Sequence, residues 1–169
     1  MKPSLLSPAL LLAFAVVTSP LPAAADNTVH ARLQSFQEVP AVSSPARGHF
    51  RAHLDRQTQT LYYELSYEGL EGDVTQSHIH FAQKGVNGSI VVFLCSNLGN
   101  GPANTQLCPA APATISGTIS AADVGAGAAA QGIVAGDFDE LIRAIREDVT
   151  YANVHSTKFP GGEIRGQIR

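Results

Sequence analysis

The sequence predicts an all-β domain, a Greek-key sandwich or barrel with one short helix inserted late. Three observations carry that reading. Apolar and polar residues alternate in successive short runs from Val29 to Ile168, the period expected of half-buried strands. Gly- and Pro-containing turn signals separate those runs at short intervals. A single segment, opened by Asp137, instead carries its apolar residues at helical spacing.

Ahead of the first strand, residues 1–25 hold Lys2, the apolar run Ala9 to Val17, and then Pro20, Pro22 and Ala23 to Ala25. This is the pattern of a secretory signal peptide cleaved before Asp26, and its apolar run is too short to cross a bilayer. The mature chain is therefore expected to be exported, to the periplasm or the exterior, with residues 26–169 as one domain. No later stretch has the length of a membrane span. A net charge of −3 and the lack of any basic run argue against nucleic acid as a partner.

Val29 to Ser35 is the first alternating run, with His30 on its polar side. Pro40 and Pro45 make the following stretch an extended connection rather than an inner strand. Alternation then returns, with Gly48, Phe50, Ala52 and Leu54 on one face and Arg47, His49, Arg51 and His53 on the other. His49 and His53, four residues apart, would lie about 13 Å from each other and could not share an ion. Leu61, Tyr63 and Leu65 mark the strongest strand signal, and Gly69 and Gly72 turn the chain into Ser77-His78-Ile79-His80-Phe81. After Asn87-Gly88, Ser89 to Leu94 reads as a strand buried on both faces. Ser96 to Pro112 is a loop, Ala113 to Ser120 a further strand, and Ala121 to Val124 a short helical turn. Asp137 is the expected N-cap of the helix, with Glu140 as its reciprocal partner. Phe138, Leu141, Ile142 and Ile145 form its core stripe. Val149 to His155 and Glu163 to Ile168 close the chain as strands.

Cys95 and Cys108 are the only cysteines. In an exported chain they are expected to form a disulfide, which stabilises by roughly 3 kcal/mol for a loop of this length; a metal-binding thiolate is the alternative.

The candidate chemistry lies in the histidines. On a strand His78 and His80 share a face, about 6.6 Å apart, while Ile79 anchors the opposite face. A solvated pair is the bland reading. His155, with Val154 behind it, supplies a third ring if its strand faces the same opening, and three neutral imidazoles suit copper, with zinc as the alternative. Three ligands leave a coordination place open, as in reactive or exchangeable sites. Asn153, Glu163 and Tyr63 are candidate supporting residues that would orient the ligand rings.

The order Glu38-Val39-Pro40, Gly69-Leu70, Ser77-His78-Ile79-His80, Asn87-Gly88, Tyr151-Ala152-Asn153-Val154-His155-Ser156 and Pro160-Gly161-Gly162-Glu163-Ile164-Arg165-Gly166-Gln167 resembles the CHRD (chordin) domain over nearly all of Val29 to Arg169. Where many members carry a second proline after Glu-Val-Pro, this chain has Ala41. The resemblance implies an exported β-domain, in a family that includes animal proteins binding secreted growth factors. Gly69-Leu70 running into His78-Ile79-His80, the late Val154-His155 and the strand holding Arg165 are also similar to the copper/zinc superoxide dismutases. No bridging histidine and no zinc-ligand cluster accompany them. That similarity implies a superoxide dismutase-like fold, an Ig-like sandwich being the other form, with a copper-only site and Arg165 steering an anionic substrate. Arg165 paired with Glu38 or Glu163 is the other reading of that residue, and no catalytic residue is otherwise assigned. Three functions remain open: copper handling, a module that binds a protein partner without metal, through a loop such as Ser96 to Pro112, and a copper oxidoreductase.

Overall fold

The computed structural model describes residues 27–169, so the expected signal peptide at residues 1–25 lies outside the described residues. Eight strands follow in order: β1 (Thr28–Gln34), β2 (Arg47–Asp55), β3 (Thr60–Glu68), β4 (Val74–Phe81), β5 (Ser89–Ser96), β6 (Ala113–Ile119), β7 (Thr150–Ser156) and β8 (Ile164–Gln167), with helix α1 (Phe138–Arg146) between β6 and β7. They make one antiparallel sheet in the order β5-β4-β7-β8-β1-β2-β3-β6. This is the predicted all-β architecture, curled nearly into a barrel.

Alternation explains most of the packing. In β2, Gly48, Phe50, Ala52 and Leu54 are buried and Arg47, His49, Arg51 and His53 exposed. In β3, Leu61, Tyr63, Leu65 and Tyr67 point inward. Leu33, Phe50, Leu65, Ile79, Leu94 and Ile164 are fully enclosed in the resulting core.

The curl brings the two ends of the strand order together. Tyr63 in β3 donates its hydroxyl to the Leu94 carbonyl of β5 (2.9 Å), and Tyr67 donates to the Pro109 carbonyl (2.7 Å). Cys95 in β5 is disulfide-bonded to Cys108 in the segment leading to β6. The Ser96 N–H adds a main-chain bond to the Gln106 carbonyl (2.9 Å), so the seam is closed by side chains and this bond rather than by a ladder between β5 and β6. Farther along the same free margin, β5 is covered by the stretch after β6. Gly125 donates to the Val91 carbonyl (2.8 Å), and a Cβ at Gly127 would collide with the Ile90 carbonyl oxygen. This cover is why Val91, Val92 and Leu94 are all buried in a strand at the end of the order, as the apolar run predicts.

Helix α1 begins where expected, with Asp137 Oδ1 accepting from the Glu140 backbone N–H (3.2 Å). The expected reciprocal contact does not form. The Asp137 N–H is already given to Val134 O, and Glu140 pairs with Arg143 one turn on, as opposite charges at that spacing do. The buried stripe is Phe138, Leu141, Ile142, Ala144 and Ile145.

Candidate metal centre

β4 and β7 are hydrogen-bonded neighbours, and their register sets the site. His78 lies opposite Asn153, His80 opposite Tyr151, and Gln76 opposite His155. His155 is therefore diagonal to His78 on the same face. On the other side β4 pairs β5 with shifts in register at Ser77/His78 and at Ile79/His80. Bulges of this kind twist a strand and re-aim its side chains. Behind the rings, Ile79, Ala152 and Val154 are each fully buried in the core, so the backbone carrying the histidines has little freedom to shift.

The three rings meet. His78, His80 and His155 are 0, 7 and 7% exposed, and one nitrogen from each lies within 4.8 Å of the others. His80 Nδ1 is 2.9 Å from the Gly88 carbonyl and His155 Nδ1 is 2.9 Å from the Pro160 carbonyl. A carbonyl only accepts, so both Nδ1 atoms carry the proton and both Nε2 atoms keep the lone pair. His78 Nδ1 stands 3.3 Å from His155 Nε2. Two ligands of one tetrahedral ion with bonds of about 2.0 Å are separated by about 3.3 Å. His78 Nε2 and His80 Nε2 are buried without any hydrogen-bond partner, an arrangement that costs about 1–3 kcal/mol per group unless something else satisfies it.

Electrostatics keep the rings neutral. Burial pushes His78 down to about 2, helped by the neighbouring His155 and His80, and pushes His80 down to about 4 against the pull of the Gly88 carbonyl. His155 is lowered for the same reason, burial outweighing the Pro160 carbonyl, with Arg165 adding to it. Neutral imidazole is the form that binds a metal ion, and at neutral pH no proton competes for these lone pairs.

The surrounding wall is aromatic and cationic. Phe93 meets His78 edge to face, with ring centroids 4.6 Å apart. Tyr151 stacks parallel on His80 at 4.7 Å, and its hydroxyl accepts from the Gly88 N–H (3.2 Å). Arg165 lies over the Tyr151 ring at 4.5 Å. Its guanidinium is 2.7 Å from Glu38, both side chains being almost wholly enclosed, and it donates to Asn87 Oδ1 (2.6 Å). Of the two readings of Arg165, the geometry matches the pairing with Glu38.

The candidate supporting residues divide. Asn153 is in the site, its Nδ2 2.7 Å from His155 Nε2. Glu163 spends its carboxylate elsewhere. Its Oε1 accepts from Ser44 (2.6 Å) and from the Glu71 N–H (2.8 Å), tying two connections to the start of β8. Tyr63 is engaged at the seam, giving its proton to Leu94 O and accepting from Gln106, because its inward direction on β3 points at β5 and not at the β4–β7 face. The ring-orienting partners are instead the carbonyls of Gly88 and Pro160. Sequence reasoning missed them, since any residue offers a carbonyl. Tyr151 was missed too, although alternation in β7 puts it on the face of Asn153 and His155.

No curated protein and no solved structure matches this chain. The model of the CHRD domain matches residues 29–168, which takes in both histidine strands and the disulfide. The chain belongs to the CHRD-domain family.

Proposed function

We propose that this CHRD-domain protein is exported and binds one copper ion through His78, His80 and His155, for copper handling. Zinc is the alternative ion. The observation that carries the reading is the convergence of three buried, neutral imidazoles, two with their lone pairs set inward by backbone carbonyls, and one of those two lone pairs, on His80 Nε2, lacking any hydrogen-bond partner. A donor set of imidazoles suits copper or zinc rather than calcium or magnesium. The Cys95–Cys108 disulfide supports export, since such bonds persist in oxidising compartments.

Burial favours carriage over turnover. Rings that are 0 to 7% exposed offer a substrate little approach, and the charge of Arg165 is matched by Glu38 rather than turned toward an incoming anion. The test is metal content of the folded protein after loading with one equivalent of copper. His78→Ala and His155→Ala are each expected to abolish stoichiometric binding, and full retention by either refutes the three-histidine assignment. A superoxide assay of the loaded protein separates carriage from oxidoreductase activity.

A further inference from the structure

We infer that Asn153 is a fourth ligand, closing the site through its carboxamide oxygen. The inference rests on the three-histidine reading above and changes what the site can do.

Asn153 is 2% exposed and lies directly opposite His78 in the β4–β7 register. Its Nδ2 is 2.7 Å from His155 Nε2, the nitrogen left with the lone pair once Nδ1 donates to Pro160 O. Its Oδ1 is buried without a hydrogen-bond partner. A purely supporting asparagine would orient a ligand ring through the nitrogen turned away from the ion. At His155 the carboxamide instead meets the nitrogen that faces the other rings, and the outward nitrogens of His80 and His155 are served by backbone carbonyls.

The lone pair of a neutral imidazole attracts the amide N–H. A cation on that lone pair repels the same N–H and attracts the amide oxygen. The two ends of a carboxamide are nearly the same size, so a half-turn of the group about its terminal torsion exchanges them with little change in packing. The strand is held independently of that torsion, because the Asn153 backbone carbonyl accepts from the Ser77 hydroxyl (2.6 Å). The resulting set of three imidazole nitrogens and one amide oxygen is closed and four-coordinate, the form of sites that hold an ion rather than expose it to substrate. The oxygen donor also biases the site toward divalent copper or zinc over monovalent copper.

The experiment uses the full chain loaded with cobalt(II), whose visible spectrum reports coordination number, titrated with azide as a probe of a free coordination place. The wild-type spectrum is expected to be unmoved by azide. Asn153→Ala is expected to respond to azide and to bind copper(II) roughly 10- to 100-fold more weakly, the range found when groups supporting a metal site are removed. Asn153→Asp keeps an oxygen donor but lacks the N–H, and is expected to behave as wild type. A wild-type spectrum that shifts with azide overturns the inference, as does Asn153→Asp failing in the manner of Asn153→Ala, which would make the N–H donated to His155 the useful part. Should Asn153→Ala not fold, the wild-type titration and the near-isosteric Asn153→Asp still decide. Failure of the underlying reading looks different: His155→Ala would then bind metal as wild type does.

Discussion

Acidification should destabilise this protein well before its carboxylates titrate. An exposed histidine in the unfolded chain takes up a proton near pH 6.5, whereas burial holds His80 at about 4 and His78 at about 2 in the folded state. Between those values the unfolded chain binds more protons than the folded one, so stability falls as pH falls. At pH 5 each of these two histidines contributes a loss of about 2 kcal/mol relative to pH well above 6.5, or about 4 kcal/mol together. His155 is lowered too and adds to the loss in the same direction. Glu38 works the other way, because burial raises its carboxyl and the folded state takes that proton first. Against an ordinary total of about 5–15 kcal/mol, the histidine effect is large. Urea unfolding in the presence of a chelator, at pH 7.5, 6 and 5, measures it. The expected dependence below pH 6 is about 1.4 kcal/mol per pH unit for each buried histidine, and His80→Gln should remove one such increment. A stability unchanged from pH 7.5 to 5 would refute the reasoning, because it would require the rings to accept protons where they sit.

Other expectations follow from the same packing. Replacing Cys95 and Cys108 together with Ser should lower unfolding stability by roughly 3 kcal/mol, read from the urea midpoint. Gly127→Ala should cost about 1–3 kcal/mol, because its new methyl meets the Ile90 carbonyl, which is backbone and cannot rotate away; thermal unfolding checks it. Glu38→Ala leaves the Arg165 guanidinium enclosed without its carboxylate and should destabilise by about 3–5 kcal/mol, whereas replacing the exposed pair Arg47 and Glu68 should change stability by less than about 1 kcal/mol.

What the sequence made legible was whatever depends on local period. The faces of β2 and β3, the N-cap at Asp137 and the same-face pair His78 and His80 all follow from side-chain alternation or helical spacing. His155 joined them because Val154 behind it gave its strand a direction. What stayed hidden depends on register and on backbone. Whether β7 lies beside β4 is a matter of strand order, and alternation says nothing of order. The shifts at Ser77/His78 and Ile79/His80 arise from two-against-one pairing with β5 and leave no mark in residue type. Tyr63 illustrates the limit: its inward direction was readable, but which strand it would meet across the interior was not, and it reached Leu94 instead of a histidine.

The closure at Tyr63, Tyr67 and the disulfide gives the molecule a zip rather than a weld. Breaking the cystine bridge in a reducing medium would leave β5 and β6 on their ladders with β4 and β3 but joined across the seam mainly by the Tyr63 and Tyr67 hydroxyls and the Ser96 N–H to Gln106 carbonyl bond, so the two margins would be freer to part. Thiol conditions should therefore loosen the molecule at a place distinct from the histidine face, while an oxidising medium keeps the two margins joined.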